Sequence, residues 1–211
     1  MQPGNRILIT AGPTRQPIDA VRYLSNRSSG RMGVALAEAA AAAGLDVMLL
    51  LGPGDCPPPE GIAAVRFETT DDLAALLDEH FPRCDVLVMA AAVSDYQPVQ
   101  VVPGKLRRGD RRLVLELEPT IDLVAACAAR KRDDQRICAF ALDSPDRLHE
   151  RAADKLRCKN VDAIVANPLD TMSADTITAT VLTPDGQAVQ PGPMPKRHFA
   201  AWLIDWLMRH F

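Results

Sequence analysis

Apolar and polar positions along the chain fall into short alternating blocks. Ile7–Ala11 is apolar almost throughout and reads as a first strand. Val34–Ala43 has helical spacing and stops at Gly44, a common residue just past a helix end. Val47–Leu51 is a second strand, closed by Gly-Pro-Gly, and Val65–Glu68 a third. Asp71–His80 carries Leu73, Leu76 and Leu77 at helical spacing, with Thr70 as its N-cap. Val86–Ala92 is a fourth strand, and such unbroken apolar runs suit strands buried on both faces of a parallel sheet. Ile121–Arg130, Ile137–Leu142, Pro145–Lys159 and Ala163–Ala166 continue the alternation. Strands alternating with helices predict an α/β fold: a doubly wound, mostly parallel, Rossmann-like sheet with right-handed crossovers.

Two segments depart from this rhythm. Val99–Leu117, with a basic turn at Lys105–Asp110, reads as a hairpin, as does Thr176–Gln190 around Pro184-Asp-Gly. Together they predict a small antiparallel addition beside the main sheet or against a second subunit. The last block, Lys196–His210, is an amphipathic helix whose Phe199, Leu203 and Leu207 mark a core stripe, with Trp202 and Trp206 four apart.

The length of 211 residues bounds the chain to one domain, with room for a subdomain. Hydrophobic residues make up 47% but aromatics only 4%, so Leu, Val, Ile and Ala must build the core. A net charge of −3 gives no general reason to expect nucleic acid or an acidic membrane as partner. No apolar run approaches ~18 residues, and the N-terminus lacks a signal-peptide core. The five cysteines have no metal-ligand spacing, and Cys127 and Cys138 read as small core residues. A reduced, cytoplasmic compartment is the expectation.

Thr10–Gly33 is too long and polar for an ordinary strand-to-helix turn, and loops of this size in compact domains are usually functional or disordered. It ends in Ser28, Ser29 and Gly30 before a helix, whose unpaired N–H groups suit phosphate. The same residues also suit a simple helix cap. Arg22 can pair with phosphate or carboxylate, and Asn26 can donate to a developing oxyanion. Both equally suit hydrogen bonding within the loop. Beyond the fourth strand, Met89, Ala90 and Ala91 leave room for a flat ring. Asp95 follows as a carboxylate for a hydroxyl, an amino group or a metal, or as the cap of the next turn. Basic residues recur at Lys105, Arg107 and Arg108, and at Lys155 and Lys159 on one helical face. A polyanion such as a nucleoside triphosphate needs such charge, though scattered lysines also serve solubility. There is no G-x-G-x-x-G, no Walker loop and no visible nucleophile triad.

The segment GPTRQPIDAVRYLSNRSSGRMG is similar to the long signature loop of phosphopantothenoylcysteine synthetase, the synthetase domain of the bacterial coenzyme A biosynthesis flavoproteins. The likeness continues through AAAVSDYQP, Lys105–Arg108, IDLVA at 121–125, the Phe140 strand and AADKLRCKNVDAIVAN at 152–167. It implies an enzyme that joins 4′-phosphopantothenate to cysteine, with CTP activating the carboxylate as an acyl-cytidylate and magnesium accompanying the nucleotide. It also implies a homodimer.

The resemblance assigns residues as well. Asn26 engages the acyl intermediate, Arg22 serves the half-reaction that consumes it, and Lys105 contacts the nucleotide phosphates. Gly12, Met89, Ala90, Ala91, Asp95, Ile121, Asp122, Leu123, Val124 and Phe140 are implied nucleotide contacts. Lys155 and Lys159 close over the triphosphate, and Ser28, Ser29 and Gly30 form its cradle. Metal ligands are not assigned.

No flavin-binding decarboxylase segment is expected in residues 1–211, so the chain reads as a single synthetase domain, free-standing or part of a longer protein. It would pair functionally with a separate decarboxylase. Ile121 stands where the family commonly has Pro, Ala139 for Gly, Asp143 for Glu, and Pro168 for Asp. These differences fall around the base pocket, so ATP stays beside CTP as a candidate. The rival reading is a non-catalytic homologue that binds nucleotide or phosphopantothenate.

Overall fold

The computed structural model describes residues 5–110, 112–172 and 174–211. In chain order, β1 (Arg6–Ala11) leads into a small hairpin, β2 (Arg15–Pro17) and β3 (Tyr23–Ser25). Then come α1 (Arg31–Ala42), β4 (Asp46–Leu51), β5 (Ala63–Arg66), α2 (Thr70–His80) and β6 (Val86–Met89). A second small pair, β7 (Tyr96–Pro98) and β8 (Leu117–Pro119), precedes α3 (Leu123–Ala129), β9 (Arg136–Asp143), α4 (Leu148–Lys159) and β10 (Ala163–Pro168). The chain closes with β11 (Thr176–Ile177), β12 (Thr180–Leu182), β13 (Ala188–Val189), β14 (Met194–Pro195) and α5 (Lys196–His210).

The main sheet has the order β13-β12-β10-β9-β6-β1-β4-β5. From β10 to β5 every neighbour is parallel, while β12 and β13 add an antiparallel edge. Strand order reverses at β1, which pairs with β4 on one side and β6 on the other. In open α/β sheets, ligands bind beyond the C-terminal strand ends at such a reversal. Alternate residues of β1 serve opposite cores: Ile7 and Ile9 pack with α1 and α5, and Leu8 packs with the layer of α2, α3 and α4. Both faces are dry, which is why the strand reads as continuously apolar. Phe199, Leu203, Leu207 and Trp206 are buried in the first layer, and Trp202 packs against it, so the C-terminal aromatic stripe is core.

Several boundaries differ from the sequence reading, each for a local reason. The N-cap of α2 is Thr69, which forms a reciprocal capping box with Asp72; the Thr70 hydroxyl is buried and hydrogen-bonds Gln16 and Thr14 instead. Helix α4 starts at Leu148, three residues after Pro145. Strand β6 ends at Met89, leaving Ala90–Ala92 out of the ladder. The expected Val99–Leu117 hairpin pairs through its flanks, β7 with β8, while the described residues of 99–116 between them hold no regular strand. The Thr176–Gln190 hairpin forms as β12–β13, but it extends the main sheet through β10 rather than standing beside it.

Cys84, Cys127 and Cys138 are buried, and burial pushes the Cys84 and Cys138 thiols up to about 12. No helix among the described residues is long and apolar enough to cross a membrane.

Candidate functional site

Two loops leave the sheet at the point of reversal, one after β1 and one after β6. They are stitched together beyond the strand ends: Ala92 N–H donates to Gly12 O at 2.9 Å and Thr14 N–H to Ala92 O at 3.2 Å. Beneath them lies a buried hydroxyl network, in which Ser94 N–H donates to Thr14 Oγ1 at 2.9 Å and Gln16 to Thr70. Two loops that would otherwise move independently are thereby fixed to each other.

Helix α1 begins directly against this junction. Gly30, its N-cap, has φ +78, and no side chain caps the helix. No acidic residue stands in its first turn. The first intrahelical bond is Val34 N–H to Gly30 O, so the amides of Arg31, Met32 and Gly33 precede the helical ladder. This end carries an unneutralised partial positive charge, the arrangement that binds phosphate. Ser28 accepts from Gly30 N–H at 3.4 Å.

A cleft of about 760 Å³ opens over the helix end. That volume falls within the ~300–1,000 Å³ common for small-molecule sites. Ser28, Ser29 and Gly30 form one wall, with Asn26 beside them. Met89, Ala90, Ala91 and Asp95 come from the β6 loop. The residues before and within the first turn of α3, Ile121, Asp122, Leu123 and Val124, form the wall opposite, with Phe140 of β9 and Lys155 and Lys159 of α4. Fifteen residues expected from the sequence thus meet in one cavity.

Three expected residues lie outside its walls. Gly12 sits one layer below, where its φ of +84 and missing Cβ let the Gly52 backbone approach, just as the missing Cβ of Gly30 lets that residue approach Gly12. Arg22 points away and pairs with Asp19 at 2.6 Å. Lys105 is exposed on the 99–116 segment and does not line the cleft.

The donor role expected of Asn26 is also altered. Its Nδ2 donates to Ala92 O and Val93 O, each at 3.0 Å. Both amide hydrogens are spent on the β6 loop, and Oδ1 is the atom left over. Loop bonding, the alternative on the sequence, is what this geometry provides.

Charge is arranged at both ends of the cleft. Lys159 Nζ lies 2.8 Å from Asp122 Oδ2, and Asp122 also caps α3 through Ala125 N–H. Burial pushes the Asp122 carboxyl up, but the Lys159 bond and the Ala125 amide outweigh it and hold it below its usual range. Lys155 is shifted down by burial and by the neighbouring Lys159 charge. An anion between the two lysines would reverse that shift. At the far end, Lys196 is lowered by burial and by Arg31, which pairs with Asp175 at 2.7 Å.

Sequence reasoning passed over Arg31, Lys196, Thr120, Asn167 and Thr171, which also line the cleft. Asn167 donates to Thr171 at 2.7 Å at the end of β10. The position of Asn167 at the end of an apolar strand was the available signal.

The family described as the DNA/pantothenate metabolism flavoprotein C-terminal domain matches residues 2–210. A prokaryotic protein named cysteine/cysteine sulfinic acid decarboxylase is 42% identical over 167 residues, covering 79% of this chain and 46% of that protein. The coenzyme A biosynthesis bifunctional protein CoaBC of Bacillus subtilis (strain 168) is 36% identical over 188 residues, 87% of this chain and 46% of its own. The chain therefore spans about half the length of these relatives. A crystal structure of the C-terminal domain of a CoaBC protein superposes with a TM-score of 0.83 at 35% identity, covering 98% of this chain and 95% of that one.

Proposed function

Because the chain belongs to the DNA/pantothenate metabolism flavoprotein C-terminal domain family, the synthetase part of CoaBC proteins, we propose that it joins 4′-phosphopantothenate to cysteine through an amide bond. CTP is the activating nucleotide in this reading. The carboxylate attacks the α-phosphorus of CTP, the α–β phosphoanhydride bond breaks, and pyrophosphate leaves. The cysteine amine then attacks the acyl carbon, loses a proton, and CMP departs. The product is phosphopantothenoylcysteine, the substrate of a decarboxylase activity.

One observation carries the reading: an uncapped helix N-terminus and a lysine pair face the same cleft. A reaction between two anions needs both neutralised and held in register. The Ser28–Gly30 cradle suits one phosphate, and Lys155 and Lys159 suit the polyphosphate. Ala90 and Ala91 leave a flat space beside Phe140 for a base. Magnesium arriving with the triphosphate needs only one or two carboxylates, and Asp95 and Asp122 are the two acidic side chains in the cleft wall. The test is a screen of CTP, ATP, GTP and UTP for pyrophosphate release with phosphopantothenate and cysteine. Release with CTP, matched by product, is the expected result; no release with any nucleotide sinks the ligase reading, and tight CTP binding without turnover would leave the non-catalytic homologue.

Lys105 belongs to this reading as a flexible side chain that reaches toward the phosphates from its loop. Lys105→Gln removes a charge-assisted contact of about 1.5–3 kcal/mol, so acyl-cytidylate formation should slow roughly 10–100-fold in a single-turnover experiment. A normal rate of intermediate formation removes Lys105 from activation.

The chain also forms a homodimer in this reading. Tyr96, Val99, Val101, Leu113 and Val114 are exposed apolar residues on and between β7 and β8, with Val114 83% exposed. Exposed large apolar side chains gathered on one segment suit a protein–protein contact. Val114→Asp with Leu113→Asp should weaken self-association at least about 30-fold, by the ~2 kcal/mol expected for a central apolar contact. Sedimentation of the variant at the same dimer fraction as the parent would move the interface elsewhere.

A further inference from the structure

We propose that Asp19 is a positioning residue that sets the Lys105 loop against the hairpin leading to Asn26. The proposal rests on the ligase reading for its catalytic consequence, and on geometry alone for the joint itself.

The Asp19 side chain is fully buried, with 0% exposure. Its Oδ1 accepts from Val21 N–H at 2.8 Å and Arg22 N–H at 2.7 Å, which closes the tip of the β2–β3 hairpin. Its Oδ2 accepts from Arg22 Nη1 at 2.6 Å and from Leu106 N–H at 3.0 Å. One carboxylate therefore holds two segments 87 positions apart in the chain. Burial pushes this carboxyl up, but the Val21, Leu106 and Arg22 amides and the Arg22 charge outweigh it and keep it ionised.

The joint is reinforced on both sides of Lys105. Ala20 N–H donates to Gly104 O at 3.0 Å, and Val102 N–H donates to Ile18 O at 3.0 Å. The Arg22 guanidinium donates to Leu106 O at 3.3 and 3.2 Å. The peptide groups before and after Lys105 are thus both held, while its side chain is exposed and unengaged by any of these bonds. A flexible cationic side chain on a fixed backbone can reach one place repeatedly, whereas a drifting loop loses that placement. Arg22 gains a physical role here as well: it is the second half of the clamp rather than a wall of the cleft.

The experiment pairs Asp19→Asn with Arg22→Gln, since Arg22 is partly exposed and its loss spares the buried position. Amide hydrogen exchange over residues 100–108 should quicken by tenfold or more in either folded variant, about the effect of losing local closure, while β1 and β6 amides stay protected. Turnover should fall roughly 10–100-fold. In a Lys105→Gln background the same substitutions should change turnover by less than about threefold, because both routes act through one side chain. Unchanged exchange in folded variants, or a rate loss that multiplies fully with Lys105→Gln, overturns the proposal. If the parent protein shows no turnover, the ligase reading fails and the exchange result alone decides whether the joint exists; if Asp19→Asn does not fold, Arg22→Gln carries both measurements.

Discussion

Gly33→Ala is expected to cut turnover roughly 100-fold while lowering the unfolding midpoint by only about 4–8 °C. Gly33 lies in the first turn of α1, where a Cβ would stand 2.4 Å from Ala11 Cβ, 2.9 Å from Ala11 Cα and 3.0 Å from Thr10 O. Carbon atoms normally meet at about 3.5–4.0 Å. The obstacle is strand backbone in the centre of the sheet, so the helix must yield. Overpacking of this kind costs about 1–3 kcal/mol, and the better helix propensity of alanine returns up to ~1 kcal/mol. A net loss near 2 kcal/mol corresponds to the modest midpoint shift. The functional cost is larger because the part that moves is the proposed phosphate cradle: Gly30 to Gly33 would lift by about 1 Å from the end of β1, and misplacement on that scale costs on the order of 100-fold. Gly44→Ala supplies the control. Gly44 has φ +81 with nothing within 4 Å, so alanine there meets backbone strain of ~1–2 kcal/mol and no neighbour. It should lose comparable stability and keep full turnover. Equal turnover in both variants, read by pyrophosphate release, would mean that the α1 terminus does not handle phosphate.

The architecture was legible because its information is local. Ile7–Ala11, Val47–Leu51 and Val86–Met89 are apolar on both faces, and only a central parallel strand needs that. Loop-borne structure was less so. Residues 99–116 look like a hairpin by apolar content, yet Leu113 and Val114 are exposed rather than packed on a partner strand. A periodicity argument cannot tell a surface left apolar for another chain from one folded inward. The cleft was legible as a set of residues but not as a geometry. Nothing in the spacing of Arg22 and Asp19 says that their pairing turns Arg22 away from the cavity. Nor does the sequence show which hydrogen-bonding atoms of Asn26 are already in use. Arg31 and Lys196 went unnoticed because they are 165 positions apart and come together only through the packing of α1 on α5.

Asn26→Asp should reduce turnover roughly 100–1,000-fold while changing CTP affinity by less than about tenfold. The amide of Asn26 is locked by two carbonyl acceptors, Ala92 O and Val93 O, both at 3.0 Å. The flipped amide would aim Oδ1 at two other oxygens, so the orientation is fixed by hydrogen-bond chemistry. An ionised aspartate has no hydrogen to offer either carbonyl. It must turn away, which unties the Asn26 loop from the β6 loop and leaves a carboxylate beside a cleft that would accept two anions in the proposed reaction. Both effects act where the activated carboxyl group would lie rather than on the base and polyphosphate, which in the proposed reaction would face Phe140, Lys155 and Lys159. Acyl-cytidylate should therefore still form and then persist, visible by rapid quench as an intermediate that cysteine consumes slowly. Asn26→Ala separates the two causes. It removes the tie without adding charge, so a loss as deep as that of the aspartate variant assigns the effect to geometry, and a near-normal rate assigns it to charge. Normal turnover in both variants would remove Asn26 from the mechanism altogether, because neither the tie to Ala92 and Val93 nor the polarity at that position would then matter to amide formation.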